Sequence, residues 1–437
     1  MAFTFLLKSG APILIACVLI GGSLSCDSAS LLPNETTGDG GPSDTDTWVR
    51  VLGENTVQWE DAPSVIDRYP RDLPNELEPY DVGLLAFPEG TSPYIEIDVS
   101  SEVTGLALFV IGHEDADYIV SELNTPLGEQ WVSNEGEGFS TAEENMSLGF
   151  PSQFFSPARV LASRGTATFF FPNSPDLHLD PGIYTMRLSA VRSEEKDERP
   201  ASLVVARHWR DDIPDGGDIK VTFHFSDGML NAETAQSDPW FQEGLDTFKQ
   251  IYEEVGLTFQ EIGYVDVDVD SYEVLELEDE KCNGGALFDL FREHVVGEAD
   301  RLHIVLIDRF QCLISGGVDI GQGMGGIAGG IPGTMFATGT AHHGVALSSH
   351  YLQDNPTRFG TVMAHEVGHY LGLFHVTERP LSGVRPIVDI IEDTTDDPEQ
   401  AQDNLMHYLS NDGSALTEGQ RSVVLRHPLV RHMDSAQ

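Results

Sequence analysis

The sequence predicts a chain of mixed fold class, an all-β sandwich followed by a domain that combines a mixed twisted sheet with helices. Three observations carry this. Between residues 48 and 212, short apolar or alternating runs are punctuated by Gly, Pro, Asn and Asp, with little helical spacing. From Ile219 onward, strand patterns alternate with helical spacing, the order of a mostly parallel sheet. Near the C-terminal end, one helix-forming segment carries His365 and His369 a turn apart on one face.

A chain of 437 residues has room for two or three domains with real cores. Its 24 basic and 71 acidic residues give a net charge of −47. That argues against nucleic acid, whose phosphates need a cationic patch, and against docking on anionic lipid by charge. It suits a soluble extracellular surface, calcium sites or attraction of cationic peptides, and the plainest reading is acids spread over the solvated surface.

Residues 1–25 read as a signal peptide, with Lys8 as the positive charge and 11–20 as an apolar run too short to span a bilayer. Leu24-Ser25-Cys26 resembles a bacterial lipobox, although Ser23 stands where Leu is preferred. Cys26 would then be the lipidated first residue of the mature chain; the alternative is cleavage nearby and free secretion. Either way the chain is expected outside the cytosol, as a cell-envelope lipoprotein (outer membrane or cell surface) or a secreted protein. Membrane contact would come only through the lipid anchor. Residues 26–47, rich in Ser, Thr, Gly, Asp and Pro, read as a disordered tether.

Ordered structure is expected from Trp48. Tyr94–Val99 alternates with period two, and 106–111, 167–171, 183–190 and 203–206 are short apolar or alternating runs. Strands of this kind suggest a β-sandwich over 48–212, serving as accessory binding module, folding aid or removable pro-domain. The acidic run 135–144 reads as a solvated loop. Residues 211–218 read as a linker, which leaves 213–437 as the second domain.

In that domain, 219–225 alternates as a strand. Trp240, Phe241, Leu245, Phe248, Ile251 and Tyr252 give 238–255 helical spacing. A strand is expected at 258–262, a helix at 286–296 and a buried strand at 303–307. Cys282 and Cys312 flank the last two, and an exported protein permits a disulfide between them, which would stabilise by about 3–4 kcal/mol in the chain-entropy model. Neither has a partner at zinc-ligand spacing. The glycine-rich run 316–333 lacks the Gly-Lys-Ser/Thr ending of a phosphate loop, and a mobile surface loop is one reading of it. His342 and His343, ahead of a strand at 344–348, read as structural or exposed.

The most specific signal is His365-Glu366-Val367-Gly368-His369-Tyr370-Leu371-Gly372-Leu373-Phe374-His375, which reads H-E-x-x-H-x-x-G-x-x-H. Asn355 can cap the helix and Pro356 suits its first position. His365 and His369 then offer two ligands to a tetrahedral zinc, and Glu366 can reach a water beside them. Gly372 can take the left-handed conformation that ends a helix, so the chain turns and returns His375 as a third ligand. The fourth position stays open. The blander reading is a helix with two surface histidines; the five fixed positions stand against it. Further on, Asp389, Glu392, Asp393, Asp396, Asp397, Glu399 and Asp403 lie in a stretch without a basic residue. Oxygen ligands this dense suit Ca2+, although EF-hand spacing is lacking, and a solvated loop is the other reading. Thr417 and Gln420 make a capping box for a last helix, which Pro428 ends.

With Asn404-Leu405-Met406-His407-Tyr408 downstream, the motif resembles that of the metzincin metallopeptidases, over roughly the last half of the chain. The order of Glu392-Asp393-Thr394-Thr395, that segment, and Leu416-Thr417-Glu418-Gly419-Gln420 is similar to the pappalysin-like group, without the cysteines expected there. The resemblance implies that Met406 is the turn methionine beneath the metal. It implies that Tyr408 lies near the metal, and that an edge strand close to the glycine-rich run holds an extended substrate. It further implies a metzincin-type catalytic domain, a Zn2+-dependent endopeptidase acting on extracellular proteins or peptides, with Glu366 as base and then acid. The rival expectations are a surface-anchored binding lipoprotein with a vestigial zinc site and an envelope lipoprotein with structural zinc. A structural site normally has four protein ligands, and the sequence offers three.

Overall fold

The structure, a computed structural model, describes residues 3–5, 49–52, 77–133, 156–192, 195–209, 215–226, 228–267, 274–277, 284–295, 297–314, 318–336, 339–378, 387–395, 397, 399–408 and 413–432. Cys26, Cys282, the tether, the loop at 135–144 and most of the leader lie outside the described residues. Among the described residues no helix is long and apolar enough to cross a membrane.

A short strand, β1 (Phe3–Phe5), belongs to the C-terminal sheet treated below. The N-terminal half then lays down β2 (Val49–Leu52), β3 (Leu77–Leu85), β4 (Tyr94–Val99), β5 (Val103–Ile111), β6 (Asp117–Asn124), β7 (Gln130–Val132), β8 (Thr166–Phe171), β9 (Gly182–Arg192) and β10 (Ala201–Trp209). These pair antiparallel in the orders β2-β4-β9-β6-β7 and β3-β10-β5-β8.

The two sheets bury their strands differently. In β9, Tyr184, Met186, Leu188 and Ala190 turn inward while Thr185, Arg187 and Ser189 are half-buried, the alternation of a sheet with one covered face. In β5, Leu106, Leu108 and Val110 enter the core between the two sheets, whereas Ala107 and Phe109 enter a second core shared with the C-terminal half. Leu203 and Val204 of β10 divide the same way, as do Phe169 and Phe170 of β8. The four-stranded sheet is thus covered on both faces, which explains its nearly continuous apolar runs.

The C-terminal half contributes β11 (Val221–Phe225), α1 (Pro239–Glu253), β12 (Ile262–Asp266), β13 (Leu302–Ile307), β14 (Met324–Ala328), β15 (Val345–Ser348), α2 (Pro356–Tyr370) and α3 (Glu418–Arg426). Its six-stranded sheet runs β1-β14-β15-β13-β11-β12. β12, β11, β13 and β15 are parallel; β14 runs antiparallel to β15, and β1 antiparallel to β14. The Asp238 side chain caps α1 by accepting from the Phe241 N–H. α1 and α2 meet at glycines: a β-carbon on Gly360 would strike the carbonyl of Gly244. The Tyr252 hydroxyl crosses the same seam and donates to the Ala364 carbonyl at 2.8 Å.

Several sequence expectations need correction. The strand expected at 258–262 is two pieces, Leu257–Thr258 in a small sheet and β12 in the large one. The helix expected at 286–296 is one regular turn, Ala286–Asp289, followed by a wider turn at Leu290–His294. Its start lacks a side-chain cap and follows two glycines of positive φ, so little holds it in register. The end of the expected linker is built into the fold, because Gly217–Asp218 pairs with Leu257–Thr258 and Arg431–His432. The glycine-rich run contains β14. Cys312 is buried; with Cys282 outside the described residues, their pairing stays a proposal.

Candidate metal centre

Local chemistry sets both ends of α2. The Asn355 side chain accepts from the Arg358 N–H at 3.0 Å, and Pro356 takes the first helical position. At the far end the Gly372 N–H donates to the His369 carbonyl and the Leu373 N–H to the Gly368 carbonyl, both at 2.9 Å. Gly372 has φ +104°, so this is the left-handed stop that reverses the chain. The reversal returns His375 to the histidines of the helix.

The three Nε2 atoms form a nearly equilateral triangle. His365 and His369 stand 3.1 Å apart, His369 and His375 3.1 Å, and His365 and His375 3.2 Å. His365 Nδ1 donates to the Leu405 carbonyl at 2.6 Å and His369 Nδ1 to the Leu373 carbonyl at 2.7 Å. Those bonds assign the protons to Nδ1 and leave bare Nε2 lone pairs facing inward. Burial, followed by the neighbouring His375 ring, holds His365 down to about 3 and His369 well below the usual histidine range, so both are neutral. A tetrahedral cation with bonds of about 2.0–2.1 Å places its nitrogens roughly 3.3 Å apart, within a few tenths of this triangle. Among the described residues, these are the side chains grouped closely enough to hold a metal ion. The donor set therefore fits a metal, and among the described residues it supplies three of the four ligands of a tetrahedral ion.

Glu366, which follows His365 on α2, is buried and lies under β14, since a β-carbon on Gly326 would stand 2.6 Å from its Cγ. Met406 packs below α2, where a β-carbon on Gly368 would meet its sulfur at 2.6 Å. Its carbonyl accepts from the Val376 N–H at 3.0 Å, which ties the turn to the strand of chain leaving His375. The paired amides of Asn404 and Gln420 brace the turn against α3. Tyr408 is half-buried, with its ring 4.6 Å from that of His407.

Three carboxylates of the acidic stretch accept hydrogen bonds within the fold. Asp393 accepts from the Gly419 N–H at the start of α3 at 2.8 Å, and Asp397 accepts from the Glu399 N–H at 2.9 Å. Asp389 is buried, accepts from the Thr394 hydroxyl, and donates its own N–H to the Val376 carbonyl at 3.1 Å. Burial pushes its carboxyl up to about 7. Asp396 lies outside the described residues.

His342 and His343 are buried away from the metal triangle. The His342 ring reaches the carbonyl oxygens of Gly329 and Arg164. His343 stacks near His303, with ring centroids 4.6 Å apart, and His303 in turn bonds to His224 at 2.8 Å. Two residues at the centre escaped sequence reasoning. Gly326 was visible only as one glycine among many, and Arg159 gave no local signal at all. Arg159 is 1% exposed, and its guanidinium lies 4.0 Å over the ring of Phe374.

No protein-family model and no curated protein matches the sequence. Solved structures that it matches include metalloproteinase-II from Bacteroides fragilis, at 13% identity and a TM-score of 0.27, over 49% of this chain and 54% of that one. They also include protein YXIM from Bacillus subtilis, at 9% identity and a TM-score of 0.15, over 56% of each chain. The chain spans about half the length of both, and likenesses of this size carry no argument about its fold or activity.

Proposed function

We propose that the chain is an exported, zinc-dependent endopeptidase of the metzincin type, most similar to the pappalysin-like group. Its catalytic domain is built on the six-stranded sheet, and the two N-terminal sheets form the all-β sandwich ahead of it. The observation that carries this reading is the triangle of Nε2 atoms at 3.1, 3.1 and 3.2 Å, with the buried acid Glu366 next to His365 in the chain.

Zinc bound there supplies a Lewis acid for the scissile carbonyl and acidifies a water. His365, His369 and His375 hold it as neutral imidazoles. Glu366 takes the proton of the attacking water and delivers it to the leaving amine. Its shielding beneath β14 keeps it out of bulk solvent. β14 offers backbone N–H and C=O groups to an extended peptide, and the antiparallel pairing of β1 along it supports this, since a strand fits there. Tyr408 is assigned, by resemblance, a hydrogen bond to the substrate oxygen as it gains charge. The net charge of −47 favours cationic peptide segments. A lipid on Cys26, a Cys282–Cys312 disulfide and Ca2+ in the acidic stretch belong to the same reading.

The test is Glu366→Gln in the full chain. The variant should bind zinc like the wild type while casein cleavage falls by several orders of magnitude. Undiminished cleavage removes Glu366 from the mechanism, and a wild type that neither binds zinc nor cleaves protein ends the peptidase reading.

A further inference from the structure

We propose that Arg159 is a positioning residue for His375, acting through Phe374, and that the N-terminal half is therefore a permanent part of the metal centre and not a removable pro-domain. The inference rests on the metal-centre reading above and goes beyond it.

The third ligand is the one that α2 does not place. His365 and His369 inherit their spacing from the helix, but His375 follows the turn at Gly372 and must be fixed by what surrounds residues 374–376. Two backbone hydrogen bonds help to hold that run. The Val376 N–H donates to the Met406 carbonyl at 3.0 Å, and the Val376 carbonyl accepts from the Asp389 N–H at 3.1 Å. A further contact comes from the other half of the chain: the Arg159 guanidinium, 4.0 Å above the Phe374 ring. A planar cation stacked on an aromatic face fixes the ring's tilt as well as its position, and the attraction strengthens when water is excluded. Arg159 is almost fully buried, and the Asn173 side-chain amide anchors its backbone by donating to the Arg159 carbonyl at 2.5 Å.

Arg159 does not cross between the halves alone. Arg426 of α3 donates to the Ser174 carbonyl at 3.1 Å, the His342 ring meets the Arg164 carbonyl at 2.7 Å, and Arg292 pairs with Glu114 at 2.8 Å. Ala107, Phe109, Phe170, Val204 and Ala206 share one apolar cluster with α1 and α2. Excision of the N-terminal half would remove this contact from Phe374 and expose the part of the cluster that Ala107, Phe109, Phe170, Val204 and Ala206 cover. Of the roles expected for residues 48–212, these contacts stand against a removable pro-domain.

The experiment uses the full chain with Arg159→Met, Arg159→Lys and Phe374→Leu. Zinc affinity is read by competition with a chromogenic chelator, and ligand geometry by the visible spectrum of the cobalt-substituted protein. Circular dichroism reports folding. Arg159→Met and Phe374→Leu should each bind zinc about tenfold more weakly and shift the cobalt bands, the scale typical of residues that orient metal ligands. Arg159→Lys should fall between them and the wild type, and the double variant Arg159→Met/Phe374→Leu should be no worse than either single one. Wild-type zinc affinity and cobalt bands in folded Arg159→Met and Phe374→Leu overturn the proposal, whatever is lost in thermal stability. Should Arg159→Met fail to fold, Arg159→Lys and Phe374→Leu decide it by the same readings. A wild type that binds neither metal overturns the metal-centre reading itself, an outcome distinct from variants that behave like a zinc-binding parent.

Discussion

Gly326 lies directly over Glu366, so closely that a β-carbon at position 326 would stand 2.6 Å from the Glu366 Cγ. Any side chain there must displace the carboxylate or the strand. Gly326→Ala should therefore keep zinc at wild-type stoichiometry yet lose hydrolysis by about 10²-fold, the usual effect of moving a reacting group by an ångström. Metal analysis beside a peptidase assay checks this; undiminished cleavage would mean that Glu366 has room to spare.

The left-handed turn at Gly372 makes a separate prediction. A β-carbon there would meet Val423 at an ordinary 3.6 Å, so space is not the difficulty; φ +104° is. Gly372→Ala should cost about 1–2 kcal/mol through backbone strain alone. The melting temperature of the metal-free protein should fall by a few degrees. Zinc affinity should fall too, because His375 arrives by this turn.

Acid should destabilise the fold through histidines remote from the metal. His224, His303 and His343 are buried together on the face of the sheet opposite α1 and α2. Burial first, then neighbouring rings, pushes His224 down to about 3 and His343 well below the usual range, and burial brings His303 to about 4. The unfolded chain takes up these protons near pH 6.5, while the folded chain refuses them. Stability is thus fully present above about pH 6.5 and falls with acidification towards about pH 4, by about 2 kcal/mol per histidine at pH 5. Urea midpoints at pH 7.5 and about pH 5, taken with chelator present, measure this loss together with that of the metal-free His365 and His369, which burial holds neutral in the same way. Equal midpoints would contradict it.

The parts of this fold that were legible in the sequence are those governed by local chemistry. Asn355, Pro356 and Gly372 delimit α2, and Thr417 and Gln420 make the reciprocal cap of α3. Tyr94–Val99 follows its alternating pattern residue for residue. β3 escaped notice because Pro79, Asp81 and Gly83 interrupt it, yet its pairing with β10 holds it extended. The expected helix at 286–296 failed because periodicity alone does not supply a cap. Arg159 stayed hidden for a deeper reason. Its stacking on Phe374 depends on two halves of the chain meeting, and nothing within a few residues of either side chain records that encounter.

Leu108 and Phe109 are adjacent in β5, yet they belong to different apolar cores, one wholly N-terminal and the other reaching the metal histidines' own helix. Heat cannot melt either core without loosening the strand that seals the other. A calorimeter should accordingly record one cooperative endotherm for the whole chain, and hydrogen exchange should find the amides of β5 among the slowest to open.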